Sequence, residues 1–184
     1  MRKATCGRVS EWGSMGKADQ GLQSSTGRYT TVPRVLIFAF NGRDVLLLKG
    51  APTKRIWANR YNGIGGHVEA AEDIYTAAQR EVAEETGLHV QDLNLRGVVN
   101  IDAGGNTGIL MFVFSAHSDD RQTRPSAEGT LEWVPLDHLG ERDLVEDLPV
   151  LLRRIAAMPG QAPPFFARYW YDADDRLRMA FAET

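Results

Sequence analysis

Three observations predict that this chain folds as a mixed α/β (α+β) domain. The first is a pair of apolar runs, Arg34 to Phe40 (RVLIFAF) and Asp44 to Lys49 (DVLLLK), on either side of Asn41-Gly42. Asn-Gly adopts the positive-φ turn that joins two antiparallel strands without splaying them. The second is Asp73 to Thr86, which has the length and composition of a helix and runs into Gly87, where a left-handed C-terminal cap is expected. The third is that both patterns recur to the C-terminus. Glu146 to Met158 reads as an amphipathic helix with Pro149 in its first turn, and a last hairpin, Phe165 to Tyr171 and Arg176 to Phe181, follows it. Two helices interspersed among strands imply a mixed sheet lying between helices.

The remaining elements follow in order. Residues 1–30 are rich in Gly, Ser, Thr and Gln without hydrophobic period, and are expected to be a disordered tail, with Met15 a second candidate initiator; residues 31–184 form the domain. Arg34 to Phe40 is apolar at nearly every position and is therefore buried on both faces. The stretch from Lys49 to Asn59 is a basic loop carrying Lys49, Lys54 and Arg55, either a solvated loop or a contact for substrate phosphates. Tyr61 to Gly66 (YNGIGG) is extended, and its glycines let backbone approach a ligand closely. Val98 to Asp102 and Ile109 to Ala116 form a second hairpin, Leu131 to Pro135 a further strand, and Asp137 to Leu139 a helical turn.

Composition bounds the function. A chain of 184 residues with 43% hydrophobic and 24% charged residues suits one globular domain. A net charge of −3 offers no surface for nucleic acid or anionic membrane, so a polyanionic substrate needs metal and local cations. The lone cysteine, Cys6, excludes an internal disulfide and fits a reducing, cytoplasmic compartment. No apolar run approaches the ~18 residues of a membrane span. Monomer and homodimer both remain open.

The stretch Gly66 to Leu88 (GHVEAAEDIYTAAQREVAEETGL) carries the chemistry. At 100° per residue, Glu81, Glu84 and Glu85 share one arc of the helix, where like charges at i, i+3 and i+4 repel. A hard divalent cation reverses the sign of that effect, because carboxylate oxygens are its ligands. Taken alone, EVAEE also reads as a solvated helix face. The full stretch, however, matches G-x5-E-x7-R-E-U-x-E-E-x-G-U, with U a bulky aliphatic residue, at every fixed position. On this box the chain resembles the MutT/Nudix hydrolase family. The resemblance covers roughly residues 33–181, strongly in the box and weakly elsewhere. It implies an α/β/α sandwich whose loop–helix–loop binds divalent metal and cleaves a nucleoside diphosphate linked to another group. It also implies Glu81, Glu84 and Glu85 as ligands of Mg2+, with Mn2+ as a substitute, and a backbone carbonyl from Gly65. Arg80 is then the arginine that orients Glu81, and Glu72 is structural, or simply a charge that favours the helix dipole. Glu128 is either an exposed loop residue or a further ligand or general base.

The same resemblance narrows the substrate. The proline of ADP-ribose-cleaving relatives and the tyrosine of dinucleoside-polyphosphate relatives are missing from the region after the box. Arg60 to Gly66 and the terminal hairpin are similar to the branch that hydrolyses oxidised purine nucleoside triphosphates, with Tyr61 replacing that branch's tryptophan. Asn62, Lys49, Glu146 and Asp147 are the expected substrate contacts, the acidic pair reading the base. Asn62 alternatively shapes the turn before Gly63, and Asp147 alternatively caps the helix. The expected reaction is hydrolysis of a purine nucleoside triphosphate such as 8-oxo-dGTP to monophosphate and pyrophosphate. A nucleotide sugar hydrolase, an isoprenyl diphosphate isomerase and a nucleotide-binding regulator are the alternatives. The isomerase needs a core cysteine that is not there, and a regulator would be expected to have lost box glutamates.

Overall fold

A computed structural model describes residues 27–183; most of the expected tail, with Met15, lies outside the described residues. The strands are β1 (Thr30–Asn41), β2 (Asp44–Gly50), β3 (Tyr61–Asn62), β4 (Gln91–Asp102), β5 (Thr107–His117), β6 (Gly129–Pro135), β7 (Phe165–Tyr171) and β8 (Leu177–Phe181). The helices are α1 (Ile74–Thr86) and α2 (Leu148–Ala157), and a 3-10 turn spans Leu136–Glu141. One mixed sheet runs in the order β3-β2-β1-β5-β4-β7-β8, with β6 added to the other side of β2. The predicted α/β/α sandwich is the observed fold. Among the described residues no helix is long and apolar enough to cross a membrane.

β1 is the spine. Its residues alternate between two cores, as the two-residue period of a strand requires. Val35, Ile37 and Ala39 pack with Ala77, Ala78 and Val82 of α1, while Leu36 and Phe38 pack with Leu148, Leu151, Leu152 and Ile155 of α2. This explains the unbroken apolar run, since both faces are covered. β1 pairs antiparallel with β2 near the Asn41-Gly42 turn, then lies parallel to β5 along its whole length, from Thr30↔Thr107 to Phe40↔His117. The strand therefore starts at Thr30, inside the stretch read as tail, and Tyr29 just before it donates its hydroxyl to Asn100 Oδ1 at 3.0 Å.

β4 also starts earlier than its sequence suggests, at Gln91 rather than Val98. Asp92, Asn94 and Arg96 interrupt the apolar alternation there, and the register shifts twice against β5. Arg96 is buried with partners along its guanidinium: it donates to Ser115 Oγ at 2.6 Å and to the carbonyls of Pro159 and Gly160 at 3.0 and 2.9 Å.

α1 forms where expected. Its N-cap Asp73 accepts from the N–H groups of Tyr75 and Thr76 at 2.8 and 2.9 Å, and Gly87 closes it at φ 76°. Asp73→Ala leaves these two donors to water. It is expected to cost about 1 kcal/mol, a fall of ~2–4 °C in melting temperature for a chain of this size, with the far-UV helix signal retained. An unchanged melting temperature would show that the cap contributes nothing.

Candidate active site

The extended segment after β3 turns onto β1 and carries the site. Ile37 N–H donates to Ile64 O at 2.7 Å and Val35 N–H to Gly66 O at 3.0 Å, so this segment takes over the β1 edge as β2 diverges. Glycine is required here by distance. A Cβ on Gly65 would lie 2.1 Å from Val35 O, and one on Gly66 would lie 2.3 Å from Glu81 Oε1. The second contact shows why the box opens on a glycine: the α1 carboxylate packs directly against the backbone that leads into it.

Arg80 organises the carboxylates. Its guanidinium donates to Glu72 Oε1 and Oε2 at 2.7 and 3.1 Å, to Glu81 Oε1 at 2.9 Å, to Glu84 Oε2 at 3.2 Å and to His67 O at 3.0 Å. The pairing with Glu81 expected from sequence is thus one arm of a larger fork. Glu72 also accepts the Glu69 N–H at 3.0 Å. Arg80 and that amide hold the Glu72 carboxyl below its ordinary range.

Glu85 stands outside the fork. Its Oε2 is buried without a hydrogen-bond partner. Burial first, then the charges of Glu128 and Glu81, push its pKa up to about 7, while the Gly65 amide and Lys54 pull the other way. Glu128 is in contact with Lys54 Nζ, and both border a small pocket of about 90 Å³ with Glu85 and Gly65. That pocket shares Lys54, Asn62, Gly65 and Glu128 with a cavity of about 410 Å³ extending to Asp147 and Tyr169. A volume of this size fits a small organic ligand.

The far end of the cavity depends on Arg60. It donates to Leu144 O and Glu146 Oε1, both at 2.6 Å, and pairs with Asp143 at 3.3 Å. Tyr61 N–H donates to Asp143 O at 2.8 Å and Tyr61 O accepts from Val145 at 3.0 Å, so residues 143–145 pair with β3 and bring Glu146 and Asp147 beside Asn62. Burial of Glu146 pushes its pKa up but is outweighed by the Arg60 hydrogen bond, and the net shift is downward. Asp147 holds the N-cap position of α2, yet its side chain makes no capping bond. Burial and the neighbouring Glu146 charge raise its carboxyl to about 6. Asn62 Oδ1 accepts the Gly63 N–H at 2.8 Å, the turn-shaping role weighed from sequence, while the residue also lines the cavity.

Lys49 is not brought to the cavity. Its ammonium lies 5.6 Å from the Tyr61 ring centroid, on a face where Tyr61 donates to Glu132 at 2.6 Å and Arg142 pairs with the same carboxylate. Side chains alternate along β2, and the register that pairs Lys49 with Tyr61 turns it away. Lys54 and Arg55 line the cavity instead. Trp57 and Tyr169 were not singled out by sequence reasoning. Trp57, at the cavity rim, holds φ at 59°, a left-handed conformation costing an L-residue about 1–2 kcal/mol. Tyr169 reaches the cavity only through the parallel pairing of β7 with β4, which no local pattern announces.

The fold and the loop–helix–loop together define a hydrolase acting on nucleoside phosphates. Residues 30–155 match the NUDIX domain, and the chain belongs to the Nudix hydrolase family. It is 32% identical over 135 residues, 71% of this chain and 83% of the relative, to the mouse (Mus musculus) oxidized purine nucleoside triphosphate hydrolase. The zebrafish (Danio rerio) protein of the same name is 31% identical over 94 residues, 50% of this chain and 60% of its own length. Among solved structures, the MutT protein of Bacillus halodurans superposes with a TM-score of 0.68 at 22% identity, covering 82% of this chain and 97% of that one. Nudix hydrolases use divalent metal ions, and the donor set here fits one. Glu85 presents an orphaned carboxylate oxygen, and its raised pKa reports Glu81 and Glu128 nearby. Among the described residues no three acidic, histidine or cysteine side chains already converge as a metal site.

The raised pKa of Glu85 gives a signed prediction. In the metal-free protein the folded state holds this proton more tightly than the unfolded chain, so the contribution of Glu85 to stability is lost as pH rises from about 4.5 to about 7. Glu85→Gln removes that loss. In EDTA, its melting temperature relative to wild type is expected to climb across this pH window, and saturating Mg2+ is expected to reverse the order at pH 7.5. A pH-independent difference would mean that Glu85 titrates normally.

Proposed function

We propose that this protein hydrolyses a purine nucleoside triphosphate, with 8-oxo-dGTP or a related oxidised purine nucleotide preferred, to the monophosphate and pyrophosphate. The observation that carries this reading is the continuity of the two pockets. Asp147, suited to a base edge, lines only the larger one and Glu85 only the smaller, while Asn62, Lys54 and Glu128 line both. The mouse relative, named for oxidised purine triphosphates, supports the same substrate class.

In this reading Glu81, Glu84, Glu85, Glu128 and the Gly65 backbone hold Mg2+, with Mn2+ as a substitute. A divalent ion there neutralises phosphate charge and acidifies water. Arg80 keeps Glu81 and Glu84 in place against their mutual repulsion. Lys54 and Arg55 face the triphosphate, the role open in the sequence to all three cations of the basic loop, and Lys54 orients Glu128 to accept the proton of the attacking water. Asn62 presents its amide to the base. Asp147 accepts from a base N–H when ionised and donates when protonated, while Glu146, held by Arg60, fixes the loop that carries it.

A screen of nucleoside triphosphates and nucleotide sugars for pyrophosphate or phosphate release in Mg2+ tests the reading. Oxidised purine triphosphates are expected to give the highest kcat/KM, and a preference for nucleotide sugars would overturn it. Glu84→Gln and Glu85→Gln are each expected to lower kcat by at least ~100-fold, the scale of losing a major electrostatic element, with the fold intact by circular dichroism. Asn62→Ala and Asp147→Ala are expected to raise KM for purine triphosphates and flatten base preference, by about 1–3 kcal/mol for each unpaired group. A lowered melting temperature with unchanged base preference would instead assign both residues to the fold.

A further inference from the structure

Tyr169 is 1% exposed, the largest of the fully buried side chains. Its ring packs edge-on against Phe181 at 6.4 Å, in the core layer that also holds α2. Its hydroxyl is buried and has no hydrogen-bond partner, while the residue lines the 410 Å³ cavity together with Asp147. Buried polar groups in native proteins are almost always satisfied, and an orphaned one costs free energy that a phenylalanine of the same shape would not. Packing alone therefore supplies no reason for the oxygen.

We propose that the Tyr169 hydroxyl is a specificity-determining group that hydrogen-bonds the polar edge of the bound base from the floor of the cavity, beside Asp147. This rests on the purine nucleotide reading above. The hydroxyl remains protonated across the working range, because burial and then the Asp147 charge push its pKa up. It offers one donor and two acceptor positions. A base edge presenting a carbonyl oxygen, a ring nitrogen or an amino group satisfies it. An edge presenting only C–H leaves it unpaired in the complex, as it is in the free protein. The site thereby favours bases with a polar substituent at that position, an oxo group included, without a formal charge on the protein.

Tyr169→Phe separates this from a packing role, because the two move stability in opposite directions. Melting is measured without ligand, and kcat and KM are measured in Mg2+ for a panel of unmodified and oxidised purine triphosphates. The expected result is an unchanged or higher melting temperature, a KM for the best substrate raised about 5- to 100-fold, a kcat within about twofold, and a narrower spread among bases. A KM rise at constant kcat marks ground-state binding lost equally from the transition state. Unaltered KM values and base ratios would overturn the proposal, as would a lower melting temperature with a uniform loss across all bases. The wild-type panel is the control: no base preference there sinks the purine reading and this inference with it, whereas a wild-type preference that Tyr169→Phe retains sinks the inference alone.

Discussion

The fork made by Arg80 is the interaction on which the site depends. A helix that places Glu81, Glu84 and Glu85 on one arc carries charges that repel between Glu81 and each of the other two, at the i,i+3 and i,i+4 spacings. Arg80 answers two of them directly, Glu81 at 2.9 Å and Glu84 at 3.2 Å, and adds Glu72 and the His67 carbonyl from the loop that enters the helix. A guanidinium can do this because it presents five donors in one plane; a lysine ammonium cannot. The fork ties loop to helix. Glu85 is left out, and its charge is managed differently. Burial and the carboxylates of Glu128 and Glu81 favour its protonated form. The same acidic cluster is thus part permanently neutralised and part poised, and the division is made by which side chains one arginine reaches.

Close backbone approach is the second constraint. The segment carrying Gly63, Gly65 and Gly66 lies against β1 so tightly that a methyl group on Gly65 would overlap Val35 O. β1 separates the α1 core from the α2 core, and the glycine segment crosses its edge, so groups held from either side meet at one cleft. Arg60 completes the arrangement by fastening residues 143–146 to the start of β3.

What the sequence made legible follows from how local each feature is. The box helix was readable to within a residue, because its cap, its glutamate spacing and Gly87 all act over a few residues. The hairpins and α2 were readable for the same reason. The start of β4 was not, since its polar residues are compensated by partners as distant as Ser115 and Pro159. Lys49 and Lys54 lie in one basic stretch, and only the pleat of β2 and its pairing with Tyr61 decide which one faces the cavity. The buried, uncapped carboxyl of Asp147 was open between two roles in the sequence, because capping potential depends on a backbone conformation that composition does not set.

This asymmetry has a functional consequence. In the proposed reading, the phosphate-facing half of the site is built largely from one contiguous stretch, Gly65 to Glu85, with Lys54 and Glu128 added from two loops. The base-facing half draws Asn62, Asp147 and Tyr169 from three segments that meet only through sheet pairing. The groups also differ in kind. Glu84 is exposed and paired, whereas Asp147 and Tyr169 are buried, and the Tyr169 hydroxyl is left without a partner. Buried, unsatisfied atoms discriminate strongly because a mismatched ligand leaves them unpaired. In that reading reaction chemistry and base selection are physically separable. A change in β7 or in the loop before α2 can redirect the substrate while the Arg80 fork and its glutamates stay as they are.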